Sequence, residues 1–258
     1  MTKARPLVLS VSGFDPSGGA GALLDSAVLR AMGFRTAAVL TAVTVQNTAG
    51  VKSVHPLAAR LVRAQWRTLA EEAEIAGIKV GMAGTAENLR MIIRELGRHP
   101  DIPRVIDPVL RATSGARLLD PAAVSVFLKG LNARATLLTP NRDEAARLAG
   151  RPVRSIPEME EAARIIYERS GVACLVKGGR LARAAVDVLY DGRNSFLFSQ
   201  ARIAGDVHGT GCHLSASILG FLVKGRALPD AVRRAAAATH REMRRAASMP
   251  GGRRRFVL

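Results

Sequence analysis

The sequence predicts an α/β fold, a mostly parallel central sheet with helices on both faces, and three observations carry that prediction. Short β-branched runs alternate with longer helical stretches along the whole chain, which is the pattern of successive βαβ units with right-handed crossovers. The turn-forming residues gather where those runs end, at 15–21, Asp107-Pro108, Thr139-Pro140 and Gly178-Gly179. Of the 258 residues, 48% are apolar and 23% charged, and only two are cysteine. Such a chain can bury a core and is neither disordered nor disulfide-stapled. The length, and the lack of any repeat or Pro/Gly/Ser-rich linker, point to one domain over 1–258.

The elements follow in order. Leu7 to Val11 reads as a buried strand and Gly21 to Met32 as a helix closed by Gly33. Thr36 to Val45 is a strand, Leu57 to Glu72 a helix and Gly77 to Val80 a strand. The alternation continues with a helix at Ala86 to Arg98, a strand at Arg104 to Ile106, a helix at Pro121 to Leu131 and a strand at Thr136 to Leu138. Two helices, Asn141 to Ala149 and Ile156 to Ser170, precede a strand at Val172 to Lys177. Asp191-Gly192 is a hairpin signal between Val186–Tyr190 and Ser195–Ser199, and helices at Gly211 to Val223 and Pro229 to Ala247 close the chain. Ligands are expected at the carboxyl ends of the parallel strands.

Charge is the unusual bulk property. Lysine and arginine number 38 against 21 acids, a net charge of +17, which raises nucleic acid as a partner. Residues 231–258 hold eight arginines and one glutamate, so +7 belongs to the last helix and tail. Arg233, Arg234, Arg241, Arg244 and Arg245 share one helical face, opposite Val232, Ala235, Ala236, Thr239 and Met243. With little aromatic interleaving, this reads as the solvated face of an amphipathic helix rather than a nucleic-acid reader. No apolar run is long enough to span a bilayer, and the run after Lys3 and Arg5 enters a glycine loop without a cleavage pattern. A cytoplasmic protein is expected, with neither membrane nor nucleic acid as a partner. The excess of arginine over six lysines also fits a hot habitat or a GC-rich genome.

Two glycine-rich loops carry the candidate chemistry. His208-Gly209-Thr210-Gly211-Cys212 precedes a helix, where several N–H groups and the helix dipole can meet an anion, although glycines also serve as plain helix-entry turns. Cys212 stands near that helix start, where a thiol pKa is expected to fall, whereas Cys174 lies in a strand and reads as core. The loop 12–21 is neither a Walker A loop nor a dinucleotide fingerprint. Asp25, one turn later, reads equally well as a ligand contact or as a dipole-stabilised first-turn acid. Lys177 and Glu144 have similar bland readings, as a solvated strand-end lysine and a helix first-turn acid. The five histidines show no metal-ligand spacing.

Seven blocks then stand in register: Ser12 to Gly21 with Asp25, Leu40 to Thr48, Lys79 to Met82, Asp107 to Val109, Thr139 to Asn141 with Glu144, Val176 to Gly179, and His208 to Cys212. In order and spacing, from about residue 7 to 240, they resemble the hydroxymethylpyrimidine/phosphomethylpyrimidine kinases of the ribokinase-like superfamily. The resemblance implies a ribokinase-like three-layer fold. It also implies two successive phosphoryl transfers from MgATP, to 4-amino-5-hydroxymethyl-2-methylpyrimidine and then to its monophosphate, in thiamine biosynthesis. Carried over by position, Gln46 and Gly13 would hydrogen-bond the pyrimidine, Asp25 would hold its polar edge, and Met82 and Val109 would pack on the ring. Gly209, Thr210, Gly211 and Cys212 would form the anion hole, with Cys212 as general base. Asp107 and Glu144 would organise Mg²⁺, while Asn141 and Lys177 would bind ATP. A homodimer is implied as well.

The chain departs from the family at several points. Thr113-Ser114-Gly115 lacks a usual lysine, Asp206-Val207 replaces Asn-Thr, and Gly251 to Arg255 replaces a Gly-rich, Pro-His-like ending. His213 follows the cysteine in place of threonine, which leads to the expectation that it tunes Cys212 as pH falls through the histidine range. Pyridoxal or a related hydroxymethyl heterocycle is the alternative substrate. A basic nucleic-acid-binding protein on a kinase-like scaffold is the remoter reading.

Overall fold

The computed structural model describes residues 6–47, 50–109, 127–179, 184–203, 205, 207–248 and 254–256. Expectations for Thr113-Ser114-Gly115, for Thr48 and Asp206, for Gly251 to Arg253 and for the first part of the helix at Pro121 lie outside them; residues 127–131 are helical.

Nine strands form one sheet in the order β3-β2-β1-β4-β5-β6-β7-β8-β9. They are β1 (Leu7–Phe14), β2 (Arg35–Asn47), β3 (Gly50–Pro56), β4 (Ile75–Val80), β5 (Arg104–Ile106), β6 (Leu137–Leu138), β7 (Ala173–Val176), β8 (Ala184–Tyr190) and β9 (Ser195–Ala201). β2, β1, β4, β5, β6 and β7 pair in parallel; β3 on one side and the β8–β9 hairpin on the other add antiparallel partners. The chain steps from β1 outward to β2 and then back across to β4. That reversal makes the carboxyl ends of β1 and β4 the switch point at which such folds bind ligands.

The helices are α1 (Gly21–Ala31), α2 (Ala59–Glu72), α3 (Ala86–Leu96), α4 (Arg142–Ala149), α5 (Ile156–Ser170), α6 (Thr210–Val223) and α7 (Leu228–Arg245). One face of the sheet packs on α1, α6 and α7 through Leu24, Val28, Leu29, Ile218, Leu219 and Val232. The other packs on α2 to α5 through Val62, Trp66, Ile92, Leu96, Leu148 and Ile166. Strand alternation assigns the side chains: Leu7, Leu9 and Val11 of β1 join the second layer and Val8 the first. α4 and α5 begin with capping boxes, Asn141 with Glu144 and Ser155 with Glu158, and each ends at a left-handed glycine.

Two features go beyond the expected elements. β3 forms an antiparallel ribbon with the end of β2. A small second sheet joins β10 (Val207–His208) in parallel to β12 (Arg254–Arg255), which pairs with β11 (Ala247–Ser248). The last helix therefore stops at Arg245 rather than Ala247, and the C-terminal segment returns to the strand that leads into the second glycine loop. Among the described residues, no helix is long and apolar enough to cross a membrane.

Candidate active site

Period-2 alternation selects the polar residues beneath the N-terminus of α6. In β4, Ile78 and Val80 face the α2–α5 layer, so Lys79 faces α1; β1 places Ser10 beside it in register. Both meet Asp25 of α1. Lys79 Nζ lies 2.9 and 2.8 Å from the two carboxylate oxygens, and Ser10 Oγ donates to one of them at 2.7 Å. All three side chains are fully buried. Burial works against the Lys79 charge, but the Asp25 carboxylate outweighs it and holds the ammonium protonated.

The same alternation turns Asp107, Thr139 and Lys177, one position past the ends of β5, β6 and β7, toward α6. Asp107 Oδ1 accepts from Lys177 Nζ at 2.7 Å and from Thr139 Oγ1 at 3.1 Å. A Cβ on Gly211 would sit 3.1 Å from Lys177 Nζ and 3.3 Å from Asp107 Oδ2, so the bare backbone of α6 approaches both charges. Asn141, bridged to Lys177 at the strand end, caps α4: its side chain accepts from Glu144 N–H at 2.9 Å, and Glu144 Oε2 accepts from Asn141 N–H at 2.8 Å. Glu144 is buried and adds to the negative field at Lys177. Asp187 fixes the turn after Lys177 by accepting the Gly178 N–H at 2.9 Å. Burial raises this carboxyl to about 6, against the pull of Gly178 and Lys177.

The two glycine loops touch. Gly209, the N-cap of α6, has φ +83°, and a Cβ there would lie 1.9 Å from the Gly19 carbonyl oxygen, so both conformation and space require glycine. No side chain caps α6 and no acid stands in its first turn, which leaves its first N–H groups for an anion. His208 links the loops from the other side, with Nε2 2.9 Å from Asp15 Oδ2 and 3.1 Å from the Gln46 amide. Asp15 also accepts the Ser17 N–H at 2.9 Å and hydroxyl at 2.7 Å. Burial would raise its carboxyl, but the hydrogen bonds from His208 and Ser17 outweigh that and hold it below the usual range.

Met82 packs against Gly13, whose absent Cβ would fall on the methionine methyl, so β1 and β4 meet at the switch point. Val109 and Asp107 line an adjoining cleft with Val80, Gly81, Ala83, Leu89 and Phe127. Asp25 lies below this surface, with its oxygens on Lys79 and Ser10, rather than opening onto it.

Two expectations about Cys212 are corrected. The helix start does not lower its thiol: burial raises it above the ordinary cysteine range, although Lys79 and the Gly21 N–H favour the thiolate. His213 does not tune it either. The imidazole is buried against α7, with Nδ1 2.9 Å from Thr239 Oγ1 and its ring stacked 4.5 Å from Phe256, and burial lowers it to about 4. Cys174 is fully buried in β7.

Sequence reasoning did not single out Lys79, Ser10, Asp15 or His208 as site residues. Alternation would have found the first two: a lysine between Ile78 and Val80, in a strand otherwise buried, needs an acid on the same face.

The family model described as phosphomethylpyrimidine kinase matches residues 15–255. The chain belongs to that family. It is therefore a kinase, and its ribokinase-like fold is that of its structural neighbours. A hydroxymethylpyrimidine/phosphomethylpyrimidine kinase of Streptomyces coelicolor is 38% identical over 89% of this chain and 86% of its own length. Among solved structures, a Bacillus subtilis pyridoxal kinase in complex with ADP superposes with TM-score 0.89 at 25% identity, covering 98% of this chain and 97% of that one. A phosphomethylpyrimidine kinase of Clostridium difficile gives 0.80 at 29% identity, covering 93% and 100%.

Proposed function

We propose that this kinase transfers the γ-phosphoryl group of MgATP to the hydroxymethyl group of 4-amino-5-hydroxymethyl-2-methylpyrimidine and then to the resulting monophosphate, as a single kinase domain in thiamine biosynthesis. The observation that carries this reading is that the uncapped α6 N-terminus meets Lys177 and Asp107 on one side, while on the other Gly209 abuts the first glycine loop at Gly19 and the preceding His208 reaches Gln46. A phosphoryl group passing between those sides would cross the N–H groups of Gly209 to Cys212, where its developing charge is stabilised without reorganisation.

In this reading Gln46 and Gly13 hydrogen-bond the pyrimidine, Met82 and Val109 pack on its ring, and Asp25 acts through Lys79. The substrate oxygen attacks the γ-phosphorus, the bond to the β-phosphate oxygen breaks, ADP leaves, and the hydroxyl proton passes to Cys212 Sγ in its thiolate form, which burial opposes and which Lys79 and the Gly21 N–H favour. Asn141 and Lys177 bind the nucleotide. Among the described residues there is no cluster of three or more metal-binding side chains. That suits Mg²⁺, which takes one or two protein carboxylates and completes its shell with phosphate oxygens and water. Asp107, with Oδ2 toward the α6 N-terminus, and Glu144 would hold the ion, which neutralises charge on the phosphates. The expectation of no nucleic-acid partner gains support from α7, where Asp230 pairs with Arg233 and Arg234, and Glu242 with Arg241 and Arg245. A cytoplasmic homodimer belongs to the same reading.

The higher TM-score to a pyridoxal kinase keeps that heterocycle as the second reading, because backbone likeness leaves pocket specificity open. ATP-coupled turnover decides between them: both pyrimidines should be used in preference to pyridoxal, and turnover of neither pyrimidine defeats the proposal. Cys212→Ala should slow the first transfer far more than the second, because a phosphate monoester is already anionic; equal losses remove the general-base role.

A further inference from the structure

Gln46, the penultimate residue of β2, lies between two polar neighbours, and the hydrogens available decide which end of its amide faces which. Asp15 Oδ1 already takes the Ser17 N–H and hydroxyl, and Oδ2 lies 2.9 Å from His208 Nε2. An ionised carboxylate only accepts, so the hydrogen in that contact belongs to Nε2. Nε2 is then a donor toward Gln46 as well, at 3.1 Å, and the amide atom facing it must be Oε1. Thr44 gives the same answer independently. Its single hydroxyl hydrogen goes to the Phe14 carbonyl at 2.9 Å, so Oγ1 meets the amide at 3.3 Å as an acceptor and calls for the amide nitrogen. With the amide nitrogen toward His208 and the oxygen toward Thr44, donor would face donor and acceptor would face acceptor. Turning the amide by 180° corrects both contacts and moves no other atom.

We infer that Asp15 and His208 are positioning residues that fix the orientation of the Gln46 amide and thereby the order in which a donor and an acceptor are offered to the substrate's heterocyclic edge. The inference rests on the reading of Gln46 as the pyrimidine contact. One amide N–H and one carbonyl lone pair remain after the two neighbours are served. Together they match an edge carrying a ring-nitrogen acceptor beside an amino donor. The 4-oxo analogue of the same alcohol, with a ring N–H beside a carbonyl, offers the reverse order. A site with a fixed amide discriminates between the two, and a site with a free amide does not.

Asp15→Asn inverts the arrangement. The Ser17 N–H still requires an oxygen at the Oδ1 position, which turns the new NH₂ toward His208. Nε2 must then accept, the ring hydrogen moves to Nδ1, and Gln46 turns its nitrogen toward the imidazole. Nitrogen-15 NMR of the imidazoles at pH 8, with His208 assigned from His208→Gln, should report the Nε2–H form in the parent and the Nδ1–H form in Asp15→Asn. In kcat/KM the preference for the amino over the oxo alcohol should fall about 10- to 100-fold in Asp15→Asn, mainly through KM. An Nε2 without hydrogen in the parent overturns the inference whether or not the variant folds. An unchanged tautomer in the variant, or an equal loss on both alcohols, overturns it too. A parent that turns over neither alcohol defeats the functional reading instead, and the NMR result alone then decides the orientation.

Discussion

A lysine with no exposed surface persists only where its charge is met at once, and Lys79 meets Asp25 through two contacts under 3 Å. Removing both ends of such a pair is far less costly than removing one, because a single removal strands the other charge. Lys79→Met is therefore expected to destabilise the fold by about 3–5 kcal/mol in urea unfolding, and adding Asp25→Leu should recover most of that loss. A single variant within about 1 kcal/mol of the parent would show that the pair does not hold the β1, β4 and α1 junction. Other residues of this site are not legible one by one. Glu144 reads as a helix-start acid and is one, in a capping box, and only its proximity to Lys177 gives it a second meaning. Asp15 and His208 are 193 positions apart, and no local pattern announces their contact.

At the scale of elements, α6 is the part that both loops address. Its start is shaped by Gly209 against Gly19, and β10, which leads into it, is held by main-chain pairing to β12. Phe256 anchors that return segment, buried and stacked on His213. Phe256→Ala should cost about 3 kcal/mol, the usual loss for a buried phenylalanine, read as a lower Tm. Through β10 it should also lower kcat more than it raises KM for either substrate. Unchanged kcat at temperatures where the variant is fully folded would confine Phe256 to stability. The βαβ elements were legible because long amphipathic helices and β-branched strands each carry their own period. β3 was not, since Gly50–Pro56 contains Lys52, Ser53 and His55 and buries little. Nor were β10 and β12, two-residue strands that exist only by pairing across 47 positions of sequence.

For the whole molecule, the net charge of +17 reads differently once the partners of α7 are seen, because Asp230 and Glu242 neutralise part of its basic face. The more particular electrostatic consequence comes from two groups with opposite shifts, the buried His213 and the half-buried Asp187. Burial lowers His213 to about 4 from the 6.5 of an unburied histidine, so between those values the unfolded chain holds a proton that the native state refuses. Stability then falls as pH drops through that window. Burial raises Asp187 to about 6 from 3.8, so between 6 and 3.8 the native state holds a proton that the unfolded chain lacks, and stability rises as pH drops. From pH 6 down to 4 the two slopes cancel. Replacing either residue exposes the other: relative to the parent, Asp187→Asn should lose about 3 kcal/mol between pH 6.5 and 4, whereas His213→Gln should gain stability on acidification below pH 6. Urea unfolding at pH 7, 6.5, 5 and 4 reads both, with all remaining groups common to the three proteins. Parallel pH profiles for parent and variants would mean that the fold does not favour the neutral form of either group.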